Sequence, residues 1–317
     1  MALWQNEEWL ENQAGISNYE LAKNYGGSES VYRKWRKRYG LSDSINKVDK
    51  KKKEPKSKRK DGDIERIVCL SDVHVPYHDE EAFHCALDYI KQTKPDEVII
   101  GGDFLDMYSI SKFAKIVTPA NSLLQEIAIA KQMLKELRKT VGDGTRITYI
   151  QGNHEFRMQT YLCNNAPELI GFDALSVPAL LDLESLDIEY IESQTRTSYV
   201  IRSGVAIGHF NKVSKFSAYT AKALVEQNFS SVVQFHTHRL GEHYRTTPFS
   251  VYKGVEGGCL CQLEPEYVDN PDWQHGIVVM ERVVGGDRYN IVGVPIIEGK
   301  MLFNGKIYGG AKNENAK

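Results

Sequence analysis

Five short runs rich in β-forming residues are each followed by a cluster of polar residues, and this pattern limits the fold more than any other feature of the chain. The runs cover residues 64–70, 97–100, 146–150, 205–207 and 231–235. Helical patterns occupy residues 80–92, 122–139 and 214–228. Strands that alternate with helices predict a layered α/β domain.

The polar cluster after each run contains residues that bind metal ions. The clusters are Ser71-Asp72-Val73-His74, Gly101-Gly102-Asp103, Gln151-Gly152-Asn153-His154-Glu155, Gly208-His209 and His236-Thr237-His238. Ligands of open α/β sheets bind beyond the carboxyl ends of the strands, so these clusters are expected to face one crevice. Carboxylate, imidazole and amide oxygen together suit divalent ions such as Mn, Fe, Zn or Ni.

The number of candidate ligands indicates more than one ion. The candidates are Asp72, His74, Asp103, Asn153, His209, His236 and His238. A single tetrahedral zinc needs only four ligands. A larger set suits two ions that share a bridging carboxylate and lie about 3.5–4 Å apart. The sequence therefore predicts a two-metal centre.

In this order, the five motifs resemble those of the calcineurin-like metallophosphoesterase superfamily. The resemblance covers roughly residues 64 to 295, and it implies a four-layer α/β/β/α sandwich. It also implies that Asp72, His74 and His238 hold one ion, that Asn153, His209 and His236 hold the other, and that Asp103 bridges them. The same resemblance makes His154 and Asp106 the catalytic residues, with His154 beside the leaving group or phosphate and Asp106 paired with it.

The chain departs from the family pattern at several positions. Phe235 replaces the glycine that usually precedes the last His-x-His, and we expect a local backbone adjustment there. The Ser/Thr protein phosphatase branch has Arg-Gly after the second Asp, where this chain has Met107-Tyr108, and Gly after the first His, where it has Val75. Gly102-Asp103-Phe104-Leu105-Asp106 and Gly152-Asn153-His154-Glu155 otherwise look like that branch, and both differences weaken this resemblance. Arg157 is a candidate replacement cation, although an arginine in a helix is more often a surface residue.

Residues 1–41 are predicted to form a helix-turn-helix module, joined by a basic linker at residues 42–63 to a metallophosphoesterase domain at residues 64–317. Ser17 and Glu20 form a capping box for a first helix, and Gly26-Gly27 ends it. The segment resembles phage-type helix-turn-helix motifs. That resemblance implies DNA contacts from Arg33, Lys34, Arg36 and Lys37 of the second helix. A helical module that contacts another protein is the alternative.

The charge distribution and the N-terminal segment indicate the partners and the compartment. Residues 1–60 carry 15 Lys and Arg against 8 Asp and Glu, whereas the remainder carries 25 against 34. A basic arm on an acidic body predicts a polyanionic partner, here DNA. The acidic start is unlike a secretory signal, and no apolar run approaches the roughly 18 residues of a spanning helix. We therefore expect a cytoplasmic protein without a membrane partner. The fusion of a helix-turn-helix to a phosphoesterase predicts a phage or prophage origin.

These observations give one leading hypothesis and two alternatives. The leading hypothesis is a nuclease or phosphodiesterase that uses two divalent ions, with Mn²⁺ as the preferred candidate, and that reaches DNA through its N-terminal module. The first alternative is a phosphomonoesterase acting on phosphoproteins or nucleotides. The second is a DNA-binding regulator whose metal domain is only structural. The sequence leaves open the oligomeric state and the role of residues 255–317.

Overall fold

The structure, a computed structural model, describes residues 21, 59–112, 118, 122–192, 199–265, 271–286 and 288–310. The chain divides into two units, Met1–Lys56 and Ser57–Lys317, and both large sheets belong to the second. The predicted helix-turn-helix and the predicted DNA contacts at Arg33, Lys34, Arg36 and Lys37 lie outside the described residues. The domain boundaries at residues 41 and 63 stay predictions.

Helices and strands alternate through most of the described chain. The helices are α1 (Glu80–Thr93), α2 (Leu123–Val141), α3 (Phe156–Asn165), α4 (Val177–Leu181) and α5 (Tyr219–Asn228). The strands are β1 (Ile64–Leu70), β2 (Glu97–Ile100), β3 (Arg146–Ile150), β4 (Ile188–Ile191), β5 (Tyr199–Arg202), β6 (Val205–Gly208), β7 (Ser231–Gln234), β8 (Leu240–Thr246), β9 (Val251–Gly257), β10 (Gly276–Val283), β11 (Asn290–Pro295), β12 (Lys300–Phe303) and β13 (Lys306–Gly309). None of the helices in the described part of the chain is long and apolar enough to cross a membrane.

Two mixed sheets form the centre of the domain. The first has the strand order β11-β10-β1-β2-β3-β4, with β1 to β4 parallel and β10 and β11 antiparallel to their neighbours. The second has the order β5-β6-β7-β9-β8, with β6, β7 and β9 parallel. β12 and β13 pair as a separate hairpin. The parallel strands of each sheet therefore end at one edge, where their loops meet.

Alternation along the central strands creates the layers. In β1, Val68 and Leu70 pack in the cluster that includes residues of α1 and α2, whereas Ile67 and Cys69 pack against the second sheet. Side chains of a strand alternate between its two faces, so a strand apolar at every position is buried on both. Residues 67–70 of β1 form such a stretch, whereas Ile64 is exposed and Glu65 and Arg66 are charged.

The fourth layer is α5, which packs on the outer face of the second sheet. Leu224 and Val225 of this helix form a buried cluster with Ala206 of β6 and Val232 of β7. The order of layers is thus helix, sheet, sheet, helix. This arrangement confirms the predicted α/β/β/α sandwich.

The predicted element bounds agree closely with the structure, except at α5. The first three strands begin and end as predicted, and β6 and β7 differ by one residue at their ends. α5 starts at Tyr219 instead of residue 214, because Ala218 has a φ of 65° and so cannot belong to a right-handed helix. The Ala218 amide instead donates a hydrogen bond to the Glu256 carboxylate at 3.0 Å.

Candidate metal centre

The loops after β1, β2, β3, β6 and β7 bring the predicted ligands together at one edge of the sandwich. One group consists of Asp72, His74 and His238, and another of Asp103, His209 and His236. In each group, ligand atoms of the three residues lie within 4.8 Å of one another. Asn153 joins the second group, since its Oδ1 is 3.1 Å from Nε2 of His209.

The first group places two imidazoles around one buried carboxylate. Oδ1 of Asp72 lies 3.1 Å from Nε2 of His238 and 3.9 Å from Nε2 of His74. The two Nε2 atoms are themselves 3.2 Å apart. Three potential ligand atoms therefore converge on a space between them.

Asp103 lies between the two groups. Its Oδ2 is 3.0 Å from Nε2 of His209 in the second group and 3.9 Å from Nε2 of His74 in the first. Its Oδ1 accepts a hydrogen bond from the backbone amide of His154 at 2.8 Å, which fixes the orientation of the carboxylate. This is the position that a bridging ligand requires.

Hydrogen bonds at Nδ1 determine which nitrogen of each imidazole faces the centre. Nδ1 of His74 contacts Oδ2 of Asp106 at 2.9 Å, and Nδ1 of His209 contacts the carbonyl of Gly101 at 3.0 Å. Nδ1 of His238 lies 3.7 Å from Sγ of Cys261. An imidazole that donates through Nδ1 leaves a lone pair on Nε2, and metal-binding histidines are commonly oriented in this way. All three Nε2 atoms consequently face the carboxylates.

The ligand atoms of the centre do not satisfy one another by hydrogen bonds, and divalent cations would satisfy them. If both Nε2 atoms carry lone pairs, the 3.2 Å contact between His74 and His238 is not a hydrogen bond. Oδ1 of Asp72 is buried and makes no hydrogen bond with the described residues. Buried polar atoms normally have a partner. Cations bound between these oxygen and nitrogen atoms would satisfy them.

The electrostatics of the centre are dominated by its two buried aspartates. Burial raises the pKa of Asp103, but the neighbouring imidazoles of His154 and His209 outweigh this effect and hold the pKa well below its usual range. Burial lowers the pKa of His209 and of His238, yet the neighbouring carboxylates raise both to about 9. The same carboxylates that hold protons on these imidazoles also attract divalent cations. A cation that binds to the imidazoles displaces their protons.

His236 differs from the other imidazoles. Burial and the nearby charge of His209 lower the pKa of His236 to about 4. Its ring lies 5.1 Å from that of His209, and its backbone amide donates to Oδ2 of Asp72 at 3.2 Å. A neutral imidazole keeps its lone pair for a metal ion.

Most of the predicted ligands have unusual backbone conformations. Residues with a positive φ include Asp72, His74, Asp103, His236 and His238, at values from 47° to 79°. Such conformations are uncommon for residues other than glycine and cost free energy on the order of 1–3 kcal/mol each. Strained residues of this kind cluster at functional sites.

Phe235, the departure from the glycine of the usual motif, is accommodated by two glycines. A Cβ atom at Gly101 would lie 2.3 Å from the Phe235 ring, and one at Gly257 would lie 2.2 Å from it. The ring is fully buried in the cluster between the sheets. Phe235 therefore fills space that Gly101 and Gly257 leave, and both ligands that follow it still face the centre.

Comparison with known proteins agrees with this geometry. The model of the calcineurin-like phosphoesterase family matches residues 65–257. The chain belongs to this family. The phosphoesterase is thus a metal-dependent hydrolase of phosphoesters, and divalent metal binding is a property of its family.

The relatives include proteins of bacteriophages. The phosphoesterase is 27% identical over 257 residues to the Gene 54 protein of Mycobacterium phage L5, covering 77% of this chain and 98% of that protein. The Gene 54 protein of Mycobacterium phage D29 gives the same identity and coverage. Among solved structures, a Vps29 double mutant from Entamoeba histolytica is 12% identical with a TM-score of 0.37, over 77% of this chain and 97% of that chain.

Glu155 supports the loops of the phosphoesterase site and was not among the predicted site residues. Its carboxylate accepts hydrogen bonds from the amides of Asp103, Leu105 and Gly152 at 2.8–3.1 Å, and from the Tyr149 hydroxyl at 2.7 Å. One side chain thus joins the loops after β2 and β3. Its place directly after Asn153-His154 was the sequence signal for such a role.

The structure places the two predicted catalytic residues in contact, but through the backbone. Nδ1 of His154 lies 2.8 Å from the Asp106 carbonyl oxygen and 3.5 Å from Oδ2 of the Asp106 carboxylate. The carboxylate Oδ2 of Asp106 is closer to Nδ1 of His74, at 2.9 Å. In this structure, the Asp106 carboxylate mainly orients His74, while its carbonyl orients His154.

Arg157 is not the surface residue that its helical position suggested. Nη1 donates to the Asp106 carbonyl at 2.7 Å, and Nη2 lies 2.9 Å from Nε2 of His154. The side chain is 21% exposed. It therefore lies at the edge of the metal centre.

The C-terminal part of the phosphoesterase forms one wall of the site. Besides the Cys261 contact, the Trp273 ring lies 4.2 Å from the His238 ring, and the Leu260 amide donates to the Asp72 carbonyl at 3.1 Å. The sequence assigned no ligand pattern to this region. Its contacts show that it positions ligands supplied by the earlier loops.

Proposed function

We propose that this phosphoesterase hydrolyses phosphodiesters in DNA with two divalent ions, Mn²⁺ being the preferred candidate, and that its N-terminal residues bring it to DNA. The observation that carries the two-metal part is the position of Asp103, whose Oδ2 faces Nε2 atoms of both ligand groups. Asp72, His74 and His238 would hold one ion, and Asn153, His209 and His236 the other. Two ions in such a centre supply a water of lowered pKa and neutralise phosphoryl oxygens.

The chain itself orients the reacting groups. Asp106 fixes His74 through Nδ1 and fixes His154 through its carbonyl oxygen. The His154 ring lies within 3.7 Å of Oδ2 of Asp103, so it would border a phosphoester bound at the centre. A side chain in this position would lie beside the leaving group or the phosphate. No side chain of the site needs to form a covalent intermediate.

The charge distribution favours DNA as the substrate. The arm of residues 1–60 has an excess of 7 positive charges, whereas the rest of the chain has an excess of 9 negative charges. Lys and Arg side chains that neutralise phosphates provide most of the affinity of nonspecific DNA binding. A tethered DNA-binding arm would raise the effective concentration of DNA at an otherwise acidic body.

The test compares substrates and two variants of the full chain in Mn²⁺. We expect cleavage of DNA and of bis-p-nitrophenyl phosphate, and loss of both in Asp103→Asn. Joint replacement of Arg33, Lys34, Arg36 and Lys37 by Ala should weaken DNA binding and reduce its salt dependence, with turnover of the small diester unchanged. Equal DNA binding by this variant and the unmodified chain would contradict targeting by the arm.

Arg157 favours a phosphomonoesterase as the second candidate, because a cation beside the metal centre suits a doubly charged phosphate. Strong hydrolysis of p-nitrophenyl phosphate with inert DNA would replace the first proposal by this one. Metal uptake without turnover of any ester would instead favour the DNA-binding regulator.

A further inference from the structure

We propose that Arg157 binds a non-bridging phosphoryl oxygen of the substrate and thereby determines which phosphoesters this site hydrolyses efficiently. The proposal rests on phosphoester hydrolysis at the metal centre, but it holds whether or not DNA is the substrate. In the Ser/Thr protein phosphatase pattern an arginine follows the second Asp, and here Met107 occupies that place. Arg157 is a cation from another part of the chain that lies next to His154.

Arg157 and His154 both donate hydrogen bonds to the backbone carbonyl of Asp106. The Asp106 carbonyl oxygen accepts from Nη1 of Arg157 at 2.7 Å and from Nδ1 of His154 at 2.8 Å. Nη2 of Arg157 contacts Nε2 of His154 at 2.9 Å. His154 lies two residues before α3 and Arg157 is in its first turn, where the Arg157 amide donates to the His154 carbonyl at 2.9 Å, so the pair is preorganised.

The hydrogen-bond roles within this pair make Arg157, and not His154, the N–H donor at the edge of the centre. A carbonyl oxygen only accepts, so Nδ1 of His154 carries the proton. A guanidinium only donates, so Nε2 of His154 accepts from Arg157. In this arrangement His154 presents no N–H toward Asp103, although its Nε2 is only 3.7 Å from Oδ2 of that residue.

The positive charge of Arg157 remains available for a ligand. Its two hydrogen bonds with the described residues use two of its five N–H groups. Oδ1 of Asp106 is 3.6 Å away, and the other oxygen of that carboxylate accepts from His74. The side chain is one-fifth exposed, so a substrate can reach it. Guanidinium groups bind phosphate oxygens through short, charge-assisted hydrogen bonds.

The two classes of phosphoester should depend on Arg157 to different extents. A phosphomonoester carries three non-bridging oxygens and up to two negative charges, whereas a diester carries two such oxygens and one charge. If each of two ions held one non-bridging oxygen, a monoester would keep a third oxygen for Arg157, whereas a diester would not. Loss of Arg157 should therefore reduce monoester hydrolysis more than diester hydrolysis.

The experiment uses the full-length, Mn²⁺-loaded protein with p-nitrophenyl phosphate and bis-p-nitrophenyl phosphate. Arg157→Gln is expected to lower kcat/KM for the monoester by about 10- to 100-fold, the range for losing hydrogen bonds to a charged group, mainly through KM. The diester should lose less. Arg245→Gln removes the same charge from β8, where Arg245 pairs with Glu226, and should leave both substrates unaffected.

Further variants separate substrate binding from positioning of His154. Guanidinium ions added to Arg157→Ala should restore part of the monoester activity, and Arg157→Lys should lie between the unmodified protein and Arg157→Gln. Equal losses for both substrates, confined to kcat and accompanied by a shifted pH profile, would mean that Arg157 acts only through His154. That outcome, or unchanged kinetics in Arg157→Gln, would overturn the proposal.

Metal content and urea unfolding identify a variant that has simply lost its structure. In that case the guanidinium rescue of Arg157→Ala decides, and absence of rescue in folded, metal-loaded protein counts against the proposal. DNA that stays intact in every variant would refute the DNA substrate and leave this assignment to be judged on the small esters.

Discussion

The two ends of the first sheet both contain buried carboxylates, but they neutralise them differently. Where β1 and β2 begin, Glu65 and Glu97 form ion pairs with Arg282 and Arg202, the latter pair at 2.7 Å. Where the same strands end, the ion-pair partners of Asp72 and Asp103 among the described residues are imidazoles, and neither aspartate forms an ion pair with Lys or Arg there.

This difference distinguishes a structural charge from a functional one. A buried charge is tolerated when it is paired and hydrogen-bonded. Arginine provides that pairing permanently for the glutamates. The aspartates are paired with imidazoles that can exchange a proton for a metal ion, so their negative charge stays available to a cation. The comparison therefore identifies the functional end without reference to any relative.

The largest expected effect comes from neutralising the central aspartate. Asp103→Asn should lower phosphoester hydrolysis by on the order of 10³-fold, because it removes the carboxylate shared by both ligand groups. Initial rates with a small phosphoester in Mn²⁺ provide the measurement. Activity within a few-fold of the unmodified protein would show that the two ends do not differ in function.

The matched change at the opposite end should affect stability instead. Glu97→Gln removes the buried carboxylate charge that pairs with Arg202, whose side chain is only 11% exposed. Breaking a buried ion pair in this way costs about 3–5 kcal/mol. Urea unfolding should show this loss, whereas activity of the folded fraction should be unchanged. If Glu97→Gln had normal stability and impaired hydrolysis, the Glu97 charge would be functional and not structural.

The sequence predicted the functional end better than the structural one. The ligands lie in loops directly after apolar strands, so strand prediction alone brings Asp72, Asp103 and His209 to one edge. Pairing of Glu97 with Arg202 joins residues of different sheets, and no local pattern reports such a contact. For the same reason the sequence did not reveal that Phe235 fits between Gly101 and Gly257.

The positions of Arg157 and Asp106 show a second limit of prediction. Periodicity places Arg157 on a helix, but it does not state which neighbour the helix faces. The resemblance implied a pairing of Asp106 with His154, and it could not show that the carboxylate turns toward His74 while the carbonyl meets His154. Backbone hydrogen bonds of this kind depend on the loop conformation. Every residue has a carbonyl group, so the residue types do not predict which carbonyl accepts.

Removal of metal should lower the free energy of unfolding, and the loss should depend on Asp103 and not on Glu97. At a free Mn²⁺ concentration of 100 times the dissociation constant, binding at one site stabilises the folded state by about 2.7 kcal/mol. We expect chelation to lower the free energy of unfolding by at least this amount in the unmodified protein and in Glu97→Gln. In Asp103→Asn the loss should be smaller. Equal losses in all three proteins would place the bound metal elsewhere.

Glu126 represents a third way to bury a carboxylate. Its Oε1 accepts from the Met107 amide at 2.7 Å, while its Oε2 makes no hydrogen bond with the described residues. Burial raises the pKa of Glu126 from 4.5 to about 8. Between these values the folded chain holds a proton that the unfolded chain has released, so the contribution of Glu126 to stability falls as the pH rises.

Glu126→Gln should remove this pH dependence. Relative to the variant, the unmodified protein should lose about 2 kcal/mol of stability between pH 6 and pH 8. Urea unfolding of both proteins at the two pH values measures the difference, and other titrating groups cancel in the comparison. A constant difference at both pH values would mean that Glu126 is ionised in the folded protein at pH 6.

The number of divalent ions bound by the full chain tests the central claim most directly. Equilibrium dialysis against Mn²⁺ followed by elemental analysis should find two ions per chain in the unmodified protein and fewer than two in Asp103→Asn, with Glu97→Gln retaining two. Binding of at most one ion by a fully active protein, or unchanged binding in Asp103→Asn, would contradict the two-metal centre.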